Sequence, residues 1–152
     1  MKEATNHTQL DFKRFDRSHF ETYKKWFEYE AIRNALYEID EEWLNHVLQD
    51  DKSIEYAVVN AEGLVGVVGV TFPDKDHQQY VITNIAVNPL HSGKRLGSQI
   101  LEVLKTLHPL KEKQKWVAYV EQNNLSAQRF FVRNQWENVG LEDDMICYEY
   151  SN

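Results

Sequence analysis

The sequence predicts an α/β fold, a mixed and mostly antiparallel sheet with a central parallel strand pair, flanked by helices. Three observations predict it. Segments 54–59 and 64–72 are β-rich and are separated by Asn60-Ala61-Glu62-Gly63, which reads as the turn of an antiparallel hairpin. A strand, a helix and a strand follow at 80–87, 93–107 and 116–120, a unit long enough to join two parallel strands by a crossover. Within it, Trp116-Val117-Ala118-Tyr119-Val120 is an unbroken apolar run, as expected of a strand covered on both faces.

Taken in order, residues 8–15 alternate, with Leu10, Phe12 and Arg14 on one side, and read as an edge strand. Ser18 and Glu21 have the spacing of a capping box, and Phe20, Tyr23 and Phe27 follow at helical spacing. A second helix opens near Asp40, with Glu41 and Glu42 in its electropositive first turn and Trp43, Leu44, Val47 and Leu48 as its buried stripe. After the hairpin, Pro73-Asp74-Lys75-Asp76 breaks the chain before the strand 80–87. The next helix places Leu96, Ile100, Leu101, Leu104 and Leu107 on one face. A short helix over about 124–134 carries Ala127, Phe130 and Phe131, and Met145–Tyr150 closes the chain as a strand that would be free to pair in a dimer. The predicted order is β-α-α-β-β-β-α-β-α-β.

Length and composition narrow the function. The 152 residues suit a single domain spanning 1–152, and 7 Phe, 8 Tyr and 4 Trp supply a core that a disordered chain lacks. A formal charge of −7 argues against a nucleic-acid partner, which needs a dense cationic face, and favours cationic or neutral small partners. The lone cysteine, Cys147, excludes an internal disulfide and reads as a small buried residue in a reducing compartment. The first residues hold no apolar signal core and no run approaches 18 apolar residues, so the expectation is a cytoplasmic chain with no membrane partner. The six His show no ligand pair at helical spacing, so no metal is expected.

The chemistry is carried by the turn Ile85-Ala86-Val87-Asn88-Pro89-Leu90-His91-Ser92-Gly93-Lys94-Arg95-Leu96-Gly97-Ser98, which leaves a strand and enters a helix. The first turn of a helix presents amides without intrahelical partners and a partial positive charge, so it can hold phosphate oxygens. Gly93 and Gly97 allow close approach there, while Lys94, Arg95 and the hydroxyls of Ser92 and Ser98 add charge and donors. The spacing is neither that of a Walker loop nor that of a dinucleotide fingerprint. In open sheets of this kind, ligands bind beyond the carboxyl ends of the parallel strands, here around 87–97 and 121–124.

This turn resembles the acetyl-CoA-binding motif of the GNAT acetyltransferases. Asn124-Leu125-Ser126-Ala127-Gln128-Arg129-Phe130-Phe131 up to Trp136 resembles that family's second signature, in which an Asn opens a helix, an Ala and two aromatics follow, and a Gly-aromatic pair ends it. The resemblance implies the GNAT fold, acetyl-CoA as co-substrate, and transfer of an acetyl group to a primary amine. Residues Ser92, Gly93, Lys94, Arg95, Leu96, Gly97 and Ser98 would hold the pyrophosphate. The backbone of Ile85, Ala86 and Val87 would pair with the pantetheine arm, with the Val87 amide facing the acetyl oxygen as it gains charge. Asn124 would bond the arm, and Arg129 and Phe130 would flank the tail of the cofactor.

The sequence departs from the family pattern in three places. Ser92 stands where the loop usually has Arg or Gln, and Arg95 where it has its first Gly. Phe131 replaces the Tyr whose hydroxyl can protonate the leaving thiolate; a water or Tyr119 is left for that role. No carboxylate or His stands on the strand before Ile85, where Val81, Ile82, Thr83 and Asn84 are found. Asn84 and Thr83 then orient a water or the amine, and Glu121 is a better-placed base than the surface groups Glu28, Glu38, Asp74, Asp76 and His77. The acceptor is expected against the N-terminal helices, where Trp26, Tyr29 and Glu28 would form an aromatic, acidic wall suited to a small-molecule cationic amine. A protein amine as acceptor, and a CoA-binding module without catalysis, are the alternatives. Monomer and homodimer are both compatible with the sequence.

Overall fold

The computed structural model describes residues 9–91 and 95–152. It holds a seven-stranded sheet in the order β1-β2-β3-β4-β5-β7-β6. The strands are β1 (Asp11–Arg14), β2 (Ser53–Asn60), β3 (Gly63–Thr71), β4 (Gln79–Val87), β5 (Lys115–Glu121), β6 (Glu137–Glu142) and β7 (Met145–Tyr150). Within this sheet β4 and β5 run parallel, and every other neighbouring pair is antiparallel. Among the described residues five α-helices accompany the sheet: α1 (Arg17–Trp26), α2 (Glu30–Ala35), α3 (Glu41–Gln49), α4 (Leu96–Leu107) and α5 (Leu125–Arg133). None of them is long and apolar enough to cross a membrane.

The pleat sends successive side chains of a strand to opposite faces, and β3 shows this directly. Val68 joins a core built with Ile100, Leu101 and Leu104 of α4 and Phe131 of α5. Its neighbour Val67 joins a second core with Phe20 and Tyr23 of α1, Ile32 of α2 and Leu44 of α3. The helices before the hairpin therefore cover one face of the sheet, and the helices of the crossover unit cover the other.

Several local expectations shift. The capping box of α1 lies two residues earlier: Asp16 accepts from the Ser18 amide while the His19 ring accepts from the Asp16 amide, so Ser18 is already inside the helix. A carboxylate outcompetes a hydroxyl as acceptor for these amides. Asp40, near which the helix was expected to open, caps α3, but Leu48 and Leu107 are exposed, each in the last turn of its helix. The helix α2 and the strand β6 are additions to the predicted order. Every residue of β6 is exposed, so it carries no burial pattern; it forms by pairing with β7 across the turn Asp143-Asp144, both at positive φ as a tight two-residue hairpin requires. Consequently β7 lies between β5 and β6 and has no free edge, which corrects its expected role as a dimerising strand. Cys147 is buried on β7 and free.

Candidate active site at a fork in the sheet

The parallel ladder between β4 and β5 runs from Gln79↔Lys115 to Ile82↔Ala118 and stops there, although β4 continues to Val87 and β5 to Glu121. The cause is a bulge. Opposite β3, Gly69 pairs with Asn84 and Val70 with Ile82, which leaves Thr83 as an extra residue that bends β4 away from its parallel neighbour. The two strands part at Thr83 and leave a fork open toward their carboxyl ends.

Backbone direction in the fork follows from the ladder. The Asn88 amide donates to the Val65 carbonyl at 2.9 Å, and backbone groups alternate sides along a strand. The amide and carbonyl of Ala86, paired with Val67, therefore face β3. Those of Ile85 and Val87 face the fork, where no strand meets them. Buried or half-buried backbone groups require partners, and an extended, amide-bearing chain laid along β4 would supply them. Of the three residues expected to pair with such an arm, Ile85 and Val87 have the right orientation, and Ala86 contributes its buried methyl to the core.

Beyond the fork stands the start of α4. Helices α1, α3 and α5 are each capped by a side chain, from Asp16, Asp40 and Asn124, whereas among the described residues α4 and the short α2 have no side-chain cap. The N-cap of α4 is Arg95, exposed and in the left-handed conformation at φ 61°. Leu96 is buried in the core, Gly97 and Ser98 are half-buried, and their amides form an uncapped, electropositive first turn. Ser92, Gly93 and Lys94 lie outside the described residues. The Phe130 ring packs over Gly97, where a Cβ would come within 2.8 Å of Phe130 Cε1, and so joins α5 to the start of α4.

Asn124 caps α5, its Oδ1 accepting from the Ala127 amide at 3.1 Å. This leaves its Nδ2 out of the cap, at the start of α5 just past the end of β5. Arg129 is exposed on α5. Glu121, the last residue of β5, is exposed; its carbonyl accepts from the Asn124 amide at 3.0 Å and thereby sets the start of α5. Phe131 is buried, 4.9 Å from Trp136 and stacked on Tyr148 at 5.8 Å between ring centroids. Tyr119, left by the sequence as a possible acid, is half-buried on β5, and burial pushes its phenol up.

On the opposite face the acceptor wall divides. Trp26 is 4% exposed, edge-on to Tyr23 at 5.3 Å, and belongs to the core. It falls off the α1 stripe by spacing, yet it joins the same core as Ile32 of α2 and Ile39 beyond it. Tyr29 and Glu28 are exposed in the turn between α1 and α2.

Sequence reasoning missed Glu55. It lies on β2, 8% exposed, in the register row Glu55–Gly69–Asn84 that crosses β2, β3 and β4. Asn84 Nδ2 donates to Glu55 Oε2 at 2.6 Å, and Thr83 Oγ1 donates to Asn84 Oδ1 at 3.1 Å. A Cβ at Gly69 would strike the side-chain oxygens of Asn84, Thr83 and Glu55 together, so glycine is what lets them converge. Burial pushes the Glu55 carboxyl up to about 7, opposed by the Asn84 hydrogen bond. A charged residue inside an apolar strand was the available signal; the strand Ile54-Glu55-Tyr56-Ala57 alternates, and Glu55 reads there as solvent-facing.

Among the described residues, no group of three or more His, Cys, Asp or Glu is arranged to hold a metal ion. The family model for the acetyltransferase (GNAT) family matches residues 12–135, and the chain belongs to that family. No curated protein sequence matches it. Among solved structures, an acetyltransferase from Thermus thermophilus is similar with a TM-score of 0.78 at 18% identity, covering 95% of this chain and 98% of that one. A chimera of the spermidine N-acetyltransferase SpeG from Vibrio cholerae and hSSAT has a TM-score of 0.72 at 16% identity, covering 93% of both chains. The PaiA N-acetyltransferase from Thermoplasma acidophilum, in complex with coenzyme A, has a TM-score of 0.68 at 12% identity, covering 95% of this chain and 99% of that one. At these identities the likeness is one of fold.

Proposed function

We propose that this chain moves the acetyl group of acetyl-CoA to a primary amine of a small cationic molecule by direct attack. The observation that carries the reading is the fork, with Ile85 and Val87 turned into it beside the uncapped start of α4. When bound, acetyl-CoA supplies the acetyl group as an activated thioester. The first-turn amides from Leu96 to Ser98 and the Arg95 guanidinium hold its pyrophosphate oxygens, with Ser92, Gly93 and Lys94 completing the loop as the family motif implies. The backbone of Ile85 and Val87, with Asn124 Nδ2, holds the pantetheine arm, and Arg129 and Phe130 flank the tail.

The protein's part is mainly positional. The Val87 amide is a fixed donor for the acyl oxygen, in place before charge develops there. Asn84 and Thr83 hold the amine in line, which is where most of the rate advantage of such a transfer originates. Glu121 stands at the rim to receive a proton through water. With Phe131 in place of a phenol, the thiolate leaves with solvent as its acid; with a thiol of ordinary pKa, about 8.5, that costs little.

The net charge of −7 and the exposed Glu28 and Tyr29 favour a cationic acceptor, and some fold relatives are named for spermidine. The test is thermal unfolding with and without saturating acetyl-CoA, followed by CoA release with an amine panel that includes spermidine and a lysine peptide. A stabilisation of about 2.7 kcal/mol at ligand near 100 times Kd supports the cofactor site. No shift at millimolar acetyl-CoA overturns it, and turnover of the peptide alone overturns the small-molecule assignment.

A further inference from the structure

We propose that Glu55, acting through Asn84 and Thr83, is the positioning residue of a subsite that holds the acceptor's cationic amine at the apex of the fork. This inference rests on the acetyl-transfer reading for its chemistry, and on the Glu55–Asn84–Thr83 chain for its geometry.

The hydrogen bonds of that chain have a direction. An ionised carboxylate only accepts, so Asn84 must turn its Nδ2 inward to Glu55 and its Oδ1 outward. Thr83 then spends its single hydroxyl proton on Asn84 Oδ1. Its remaining lone pairs point away from that bond, and Thr83 is exposed at the point where β4 and β5 part. A buried negative charge is thus expressed at the surface as a hydroxyl that can only accept. The complementary ligand is an N–H donor carrying positive charge, such as an ammonium group or a primary amine about to attack.

The alternative, that Glu55 only braces the sheet, explains less. A bracing role is met by any hydrogen-bonded polar pair, and an apolar pair of the same shape would do as well. A lone buried carboxylate without a cation costs stability. From α1 the phenol of Tyr23 faces Glu55, and its own acidity is suppressed by burial and by the Glu55 charge. From β4 it meets the neutral Asn84 and Thr83, and from β3 the glycine Gly69. Just after β1 the Phe15 amide donates to the Glu55 backbone carbonyl at 2.8 Å, which leaves the carboxylate itself without a partner from that strand. The positive charge that would balance Glu55 is one that the ligand brings.

The sign of the pH dependence follows. Burial pushes the carboxyl up to about 7, so Glu55 is expected to be mostly neutral at a pH of about 5.5 and mostly ionised at about 8. Amine affinity should rise across that interval and the rise should vanish when Glu55 cannot ionise. The experiment titrates the full chain with spermidine, reading backbone amide shifts by NMR at those two pH values, for wild type, Glu55→Gln, Thr83→Val and Thr83→Ser. The steady-state KM for spermidine is read alongside.

Expected are shifts centred on Thr83 and Asn84, and binding at the higher pH weakened about tenfold by Glu55→Gln and by Thr83→Val. Thr83→Ser should bind like wild type, and Glu55→Gln should match wild type at the lower pH. Equal binding by all four proteins at the higher pH, or shifts elsewhere, overturns the inference. Turnover of acetyl-CoA with a KM indifferent to Glu55→Gln overturns it too, while leaving the acetyltransferase reading intact. Conversely, pH-dependent spermidine binding that needs Glu55, with no turnover in wild type, upholds the subsite and overturns the catalytic reading.

Discussion

The Phe130 ring lies on the bare Cα of Gly97, so that α5 closes directly onto the first turn of α4. Two helices that approach the fork from different strands are thus held together by one residue that lacks a side chain. A methyl at Gly97 would have to displace the ring. Gly97→Ala is expected to cost about 1–3 kcal/mol of stability, as overpacking commonly does, and to weaken acetyl-CoA binding at least as much. Urea unfolding and a ligand titration of the same variant check this. Unchanged stability and affinity would mean that the ring moves aside without consequence.

Two residues with long side chains at helix ends adopt the left-handed conformation: Arg95 at φ 61°, where the family resemblance puts glycine, and Gln135 at φ 74°. Gln135 ends α5 in a Schellman arrangement, with the Trp136 amide donating to the Phe131 carbonyl at 3.0 Å. A non-glycine residue there costs about 1 kcal/mol. Gln135→Gly is therefore expected to stabilise the chain by about that amount, raising Tm by roughly 2–4 °C for a protein of this size. Arg95→Gly should relieve a similar strain while weakening acetyl-CoA affinity by loss of the guanidinium. Differential scanning calorimetry of both variants separates strain from charge.

Phe131→Tyr restores the hydroxyl that the family often uses as an acid. Phe131 is 3% exposed, and its ring is enclosed by Phe130, Trp136 and Tyr148. The added hydroxyl would be buried without a partner, at a cost of about 1–3 kcal/mol. We expect lower stability and an unchanged kcat. A kcat raised about tenfold or more would show that the ring edge reaches the leaving thiolate.

Glu55 also makes stability depend on pH. Its carboxyl is raised from its ordinary 4.5 to about 7, so its contribution is fully present below pH 4.5 and is lost as pH rises through 7. Glu55→Gln should match wild type near the lower of these values and gain on it above the higher, by up to roughly 3 kcal/mol for a shift of this size. Denaturant unfolding across that range reads the difference. His108, whose ring nitrogen meets the Tyr56 hydroxyl at 2.7 Å, is lowered by burial and acts in the opposite sense, losing stability as pH falls below 6.5. Comparing the variant with wild type at each pH cancels that contribution.

Local periodicity and turn chemistry made much of the fold legible in the residues. The hairpin at 60–63, the helix stripe of Leu96, Ile100, Leu101 and Leu104, and the covered strand 116–120 are patterns of neighbouring residues, and each reappears as an element. The turn proposed to hold the cofactor was legible as local structure for the same reason, because a strand, a turn and a helix start are contiguous in the chain. β6 was hidden because it buries nothing, and its existence depends on pairing with β7.

Patterns among neighbouring residues were enough for the mixed sheet with its parallel pair and for the family motifs. Packing between distant segments settled what fills the expected acceptor side. It drew Trp26 into the core, turned the backbone of Ile85 and Val87 toward the fork, and buried Glu55 beneath α1. Each depends on a contact between segments far apart in the chain, such as Glu55 and Asn84, separated by 29 in sequence. Alternation within a strand states which residues share a face, but only packing decides whether that face meets water or a helix.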